Sequence, residues 1–496
     1  MDVLQKEQNL TLTFDGNSTR KPQSVYTVHI TTKNRDSYFV DGYEGSDERH
    51  MAAWIKDKVL KTVREIGKEK FAAVCSDSTG NTKKGRKTIH EEVRTIIDLG
   101  DCCHHIQNTI KDINKLSDLR EMVSHLQATV KFFSKSNIVV AELRKARNDV
   151  DITTGLVKVG KTRFATHWAA ASALNRCLPL IRDLVEEGKI KLSQRKKNLH
   201  QLFTTQTRYL RFQLQLVQYI AIVGPLAHSL WSLEASRANA ADVFIFWLAI
   251  ASNLKDIFSK SSDTTSISQT LARQVTAIIN RRYKAMIDES PSDIYFTAFF
   301  LDPRYTRSDV LKKPTTMSVT LKIPSIKQRP CDHDVDAAES VPHARAYTRV
   351  KAFLKQMLRD IVETVKLAGH DLDTSNPCHR LVAQLGSNRV VSDFRQQLLA
   401  FSCQEWPFTD PITHGDALTW WELLEQHPHA RVLAMLAIKI FSVLVNSMPD
   451  ECTGSKITWF NSPLRANQDV STLVNMIQIG QWYGVHKVHG SLKSES

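Results

Sequence analysis

The chain lacks any C-x-x-C pair: its 8 cysteines, Cys75, Cys102, Cys103, Cys177, Cys331, Cys378, Cys403 and Cys452, are scattered. That excludes a disulfide-stapled miniature fold and reads as the reduced thiols of an intracellular protein. An apolar leader is also missing, since MDVLQKEQNL holds no signal-peptide core. The sequon Asn17-Ser18-Thr19 is accordingly read as unglycosylated. No stretch reaches the roughly twenty apolar residues of a membrane helix. The most apolar tract, 214–254, is interrupted by Pro225, His228, Glu234 and Arg237 and reads as two buried helices. Internal repeats at solenoid periods are absent. Acid is in short supply: 52 Asp and Glu stand against 66 Lys and Arg, a net charge of +14. Such an excess favours a polyanionic partner, because Lys and Arg that neutralise phosphates release condensed counterions.

What is present suits a globular protein. A length of 496 residues with 42% hydrophobic side chains predicts two or three domains, or one domain with a large insertion. LTLTF (10–14), VYTVHIT (25–31) and SYFVDG (37–42) predict a three-strand antiparallel meander, the first with Leu10, Leu12 and Phe14 on one face. A helix over about 47–66 follows, with Met51, Ile55, Val59, Val63 and Ile66 at helical spacing. FAAVCS (71–76) reads as a strand buried on both faces, a basic helix covers about 84–97, and IIDLG is a fifth strand. The order predicts a mixed α/β sheet with one antiparallel edge. Beyond about residue 104 strand signals nearly vanish. Helices are expected over 168–184, 199–233, 241–258, 266–286, 345–368, 377–402 and 416–446, with a loop or linker at 312–345.

Gly155 to Thr162 fits the G-x-x-x-x-G-K-[ST] phosphate-loop pattern. The polar segment ELRKARNDVDITT before it offers no buried strand to aim the loop, so nucleotide binding is set aside. Asp15 and Asp77 each follow a strand. Two carboxylates at strand ends suit a hard divalent cation, while each also fits a turn or cap role, Asp15-Gly16 being a turn dipeptide. Cys102-Cys103-His104-His105 has no second ligand pair at finger spacing and reads as a helix start. Trp420-Trp421 read as core or interface.

In order along the chain, LTFDGNS (12–18), VCSDSTGN (74–81), Cys102-x-x-His105 with Asn108 and Lys111-Asp112, KTRFATHW (161–168), AFFLDPRY (298–305), SMPDECTGS (447–455) and SPLR (462–465) resemble the hAT superfamily of DNA transposases. The resemblance spans about 10–487. It implies a mixed-sheet α/β ribonuclease-H-like domain interrupted by a large all-α insertion. Residues 1–160 would form the first part, 161–311 the insertion, 346–411 a helical segment, and 412–487 the completion of the catalytic domain with the dimerisation region. It further implies a catalytic triad of Asp15, Asp77 and Glu451 holding Mg²⁺ or Mn²⁺, phosphodiester cleavage and strand transfer at transposon ends, a nuclear location, and a homodimer or higher homo-oligomer. No membrane is expected.

Lys83, Lys84, Arg86, Lys87, His105, Arg163, Arg195, Lys196 and Lys197 are the expected contacts to double-stranded DNA. The chain starts about nine residues before the first catalytic strand, so the zinc finger usual in the family is expected to be absent. Asn17 and Cys452 stand where the family pattern has Trp or another bulky residue, and Arg. Those departures motivate an alternative, a catalytically inactive DNA-binding and dimerisation protein of the same descent. For assembly, Leu433, Leu436, Ala437, Ile440, Phe441 and Leu444, with Leu473, Val474, Met476, Ile477, Ile479 and Trp482, are expected to be divided between core and interface.

Overall fold

The computed structural model describes residues 3–21, 23–48, 51–160, 165–192, 197–260, 266–306, 308–312, 341–412 and 415–491. Strands β1 (Leu10–Ser18), β2 (Ser24–Thr31) and β3 (Ser37–Glu44) form the meander. Helix α1 (Met51–Ile66), β4 (Phe71–Ser76), α2 (Gly80–Glu92) and β5 (Ile97–Gly100) follow. The sheet runs in the order β3-β2-β1-β4-β5. β1 pairs antiparallel with β2 and parallel with β4, and β4 pairs parallel with β5. The protein is thus mixed α/β, and among the described residues no strand follows Gly100.

The helical remainder begins earlier than expected, with α3 (Cys102–Asn114), α4 (Ser117–Phe133) and α5 (Asn137–Asn148). Then come α6 (Ala165–Glu186), α7 (Lys197–Thr204), α8 (Gln206–Leu233), α9 (Ala240–Ser259), α10 (Gln269–Tyr283) and α11 (Ile294–Leu301). After the segment 313–340, which lies outside the described residues, follow α12 (Ala344–Ala368), α13 (Pro377–Leu385), α14 (Ser387–Cys403), α15 (Ala417–Leu424), α16 (Arg431–Ser442), α17 (Met448–Phe460) and α18 (Val470–Ser491). Three expected single helices are broken in two. Thr205 is extended between α7 and α8, and Gly386 between α13 and α14 adopts φ 74, a region open mainly to glycine. Between α15 and α16 stands Pro428, which has no N–H to continue a helix.

One face of the sheet packs Leu10, Leu12, Phe14, Val28, Ile30 and Val74 against α1 and Ile89 of α2. On the other face Ala73, Cys75, Ile97 and Leu99 join the large core shared by the helical remainder. α8 is long and apolar enough for a membrane span by length and composition, but 61% of its apolar window is buried, as the two-helix expectation for that tract requires.

The C-terminal third returns to the sheet. Arg35, in the β2–β3 turn, donates to the carbonyls of Phe441, Ser442 and Val443, groups that a helix end leaves without partners. The α16 stripe of Leu433, Leu436, Ala437, Ile440 and Phe441, continued by Leu444, is entirely core. α18 lays Val470, Leu473, Val474 and Ile477 on Val25 and Phe39. It also covers the edge strand: the Gln481 amide bonds both N–H and C=O of Phe39, and Gln478 Nε2 donates to the Val40 carbonyl. An edge that would template another chain is thereby closed.

Candidate functional site

β1 and β4 run side by side in the same direction, with Thr13 opposite Cys75. Asp15 and Asp77 each lie two residues beyond that pair, so parallel pairing delivers both carboxylates to one edge of the sheet. Arg86 of α2 secures the end of β4. It is fully buried, forms an ion pair with Asp98 at 2.7 Å, and donates to the Ser76 hydroxyl, the Ser76 carbonyl and the Asp77 carbonyl.

The third carboxylate arrives through the chain reversal. Asp101 ends the loop after β5 and caps α3, accepting from the His104 N–H at 2.9 Å. Its other oxygen accepts the N–H of Ser447 at 2.7 Å and the Ser447 hydroxyl at 2.5 Å. Ser447 is the residue before α17, which carries Glu451 in its first turn. Glu451 Oε1 then stands 3.8 Å from His104 Nε2, while His104 Nδ1 is 3.1 Å from Asp101.

Charges in this region are strongly coupled. Burial pushes the Asp15 carboxyl up to about 7; His104 opposes that shift, whereas Asp450 and Asp77 add to it. Burial alone would lower His104, but Asp101 foremost, then Asp15 and Glu451, hold it up to about 10. Asp101 is driven upward by burial, yet His104 and the donors from Ser447 keep it at about 2. His104 is thus an imidazolium among carboxylates. Tyr26, beside Gly16, has its phenol raised by burial and by the charges of Asp77 and Asp15.

Asp15 and Glu451 both act on the His104 imidazole, while Asp15, Asp77 and Glu451 do not converge tightly. Among the described residues, Asp101, Cys102 and Cys103 are the one group of at least three potential ligands whose donor atoms all lie within 4.8 Å of one another. That group is not an evident cation site, because both Asp101 oxygens already accept hydrogen bonds and all three side chains are buried.

The expected DNA contacts divide. Lys83, Lys84 and Lys87 are exposed on α2, directly after Asp77. Two are corrected. Arg86 is sealed under α2 by Asp98, and His105 is buried with Nε2 donating to the Arg282 carbonyl at 2.8 Å, so neither reaches a phosphate. Arg163, Arg195 and Lys196 lie outside the described residues; for Lys197 the backbone alone is described, at the start of α7. The phosphate-loop lookalike follows helix α5 and not a strand, so the support such a loop needs is missing.

Sequence reading passed over Asp101, Asp450, His29, Thr13 and Thr27, and took His104 only as part of a helix start. A signal was present: Thr11 and Thr13 alternate along β1 as Thr27, His29 and Thr31 do along β2, marking a polar sheet face. That face is buried, not solvated.

Residues 3–129 match the family described as Domain of unknown function (DUF659). The match covers the whole sheet with Asp15, Asp77 and Asp101, and stops well before Glu451. No curated protein matches the chain.

Proposed function

We propose that this protein is a transposase, or a DNA-binding protein derived from one, of the hAT superfamily, built on a ribonuclease-H-like core. The observation that carries the reading is the delivery of Asp15 and Asp77 to one sheet edge by adjacent parallel strands, with Glu451 brought to His104 beside them across the returning α17. The strand order β3-β2-β1-β4-β5, three antiparallel and two parallel, supports the ribonuclease-H-like assignment. The DUF659 match covers the same elements.

Asp15, Asp77 and Glu451 would hold Mg²⁺ or Mn²⁺. The donor set fits: hard oxygens suit these ions, and an Asp15 carboxyl raised to about 7 by burial and neighbouring carboxylates describes a place that gains from a cation. Bound ions would activate the attacking oxygen and steady the leaving one in phosphodiester cleavage and strand transfer at transposon ends. The protein's own part is positional: Arg86 steadies the Asp77 loop, and Asp101 ties α17 to α3. Lys83, Lys84 and Lys87 bind phosphates of duplex DNA. The protein works in the nucleus, as a homodimer or higher homo-oligomer.

Nicking of supercoiled plasmid in Mg²⁺ or Mn²⁺ tests the enzyme reading, with Asp15→Asn, Asp77→Asn and Glu451→Gln as controls. Metal-dependent nicking lost in all three supports it; equal nicking in any of them refutes the triad.

A second reading has its own observation. His104 already supplies a cation 3.8 Å from Glu451, and the three carboxylates do not close to mutual ligand distance. These features favour a catalytically inactive DNA-binding and dimerisation protein. Salt-dependent duplex binding with no nicking under any metal distinguishes it.

A further inference from the structure

Asp450 and Glu451 are adjacent in α17 yet hold opposite positions. Glu451 is partly exposed toward His104, whereas Asp450 is 2% exposed and has both oxygens occupied. Thr13 Oγ1 donates to Asp450 Oδ2 at 2.5 Å; Thr27 Oγ1 donates to Oδ1 at 2.8 Å; His29 Nδ1 lies 2.7 Å from the same oxygen. His29 Nε2 lies 2.8 Å from Thr453 Oγ1, one turn further along α17. Thr13 precedes Asp15 by two residues on β1, and Thr27 is the residue paired with Asp15 across the sheet. Asp450 is therefore bonded to both neighbours of Asp15 while being covalently next to Glu451.

A carboxylate saturated in this way is unsuited to holding a cation itself. It can, however, set where its neighbour stands, since consecutive Cα atoms are about 3.8 Å apart and site geometry must be held to about 0.5 Å. The approach is also close at Gly454 of α17, where an added Cβ would meet the end of the Asn17 side chain of β1 and require it to move.

We propose that Asp450 is the positioning residue of this site. It ties the helix that carries Glu451 to the strand that carries Asp15, and so fixes the spacing of these two carboxylates for a divalent cation. The proposal rests on the metal reading given above.

Mn²⁺ titration of the full chain, followed by loss of the free-ion electron paramagnetic resonance signal, tests it without relying on activity. Asp450→Ala weakens Mn²⁺ binding by about 10- to 100-fold. Asp450→Asn, which keeps the shape and an acceptor oxygen, recovers most of that loss. Arg35→Ala loosens the end of α16, lowers the melting temperature and leaves Mn²⁺ affinity unchanged, which separates positioning from general destabilisation. Should Asp450→Ala fail to fold, Thr27→Val removes a single donor, with a several-fold weakening expected. Asp15→Asn controls the metal reading itself. If Asp450→Ala and Thr27→Val bind as tightly as the unmodified protein while Asp15→Asn loses the ion, Asp450 is only a structural staple and the metal reading survives. If the unmodified protein takes up no Mn²⁺, or Asp15→Asn binds normally, the metal reading fails and this proposal with it.

Discussion

Asp101 and Ser447, separated by 346 positions, meet in a buried pair of hydrogen bonds in which one carboxylate oxygen receives both the N–H and the hydroxyl of the serine. The same carboxylate caps α3 and pairs with His104. A single side chain thus joins the end of the sheet to the start of α17. Asp101→Ala should cost about 3–5 kcal/mol, because buried donors and an imidazolium lose their partner. Ser447→Ala should cost about 1 kcal/mol, the usual net value of one such bond. Urea unfolding measures both; equal effects would mean that the joint is not centred on Asp101.

His105 supplies a pH dependence. Burial lowers its imidazole from the usual 6.5 to about 4, with the Arg282 carbonyl as a partial offset. As pH falls below 6.5 the unfolded chain takes up a proton that the fold refuses, so stability present above that pH is lost on the way down to about 4. Between pH 7 and pH 5 this group should account for about 2 kcal/mol of lost stability. His105→Gln, which retains a donor for the carbonyl, should remove that part of the decline. Parallel pH profiles of the two proteins in denaturant would disprove the assignment.

On helix α2 Lys83, Lys84 and Lys87 are exposed while Arg86 is buried, so the proposed phosphate contacts can be tested apart from internal structure. Replacing Lys83, Lys84 and Lys87 with Ala should weaken duplex binding and make the slope of log affinity against log salt shallower by roughly 2–3, about 0.9 for each phosphate no longer neutralised. Arg86→Gln should leave that slope unchanged while costing about 3–5 kcal/mol of stability, since it strands Asp98 in the interior. Fluorescence anisotropy at several salt concentrations, paired with thermal melts, reads both. A slope altered by Arg86→Gln would return that residue to the DNA surface.

Of the residues expected to be divided between core and interface, few are exposed. Ile477 and the α16 stripe are buried, but Ile479, Trp482 and Tyr483 are 57%, 63% and 65% exposed on the outward side of α18. Charged substitutions at Ile479 and Trp482 should split a homo-oligomer with little change in melting temperature, because neither residue is in the core. Light scattering of the unmodified protein decides first: a monomer throughout the micromolar range removes the interface.

Much of the first hundred residues was legible in the residues themselves. Alternation in LTLTF and VYTVHIT implied paired strands, FAAVCS implied a strand covered on both faces, and the spacing of Ile55, Val59 and Val63 implied the helix packed on them. These are local patterns, set by side-chain periods of two and 3.6 residues. Asp77 was visible for the same reason, as an acid just past such a strand; Asp15, read as a strand end, instead lies within β1, which stays paired with β2 as far as Ser18. Glu451 was visible only by resemblance, because nothing within its own segment relates it to residues more than 370 positions earlier.

What tertiary structure alone decided is which polar groups face inward. Arg86 and His105 carry the composition of surface contacts, yet Asp98 and a helix-end carbonyl draw them inside. Thr13, Thr27 and His29 have the alternation of a wetted face, yet α17 covers them and places Asp450 among them. The physical reason is that burial of a polar group depends on a partner close in space, and here each partner arrives from elsewhere in the chain, beyond the range of any sequence period.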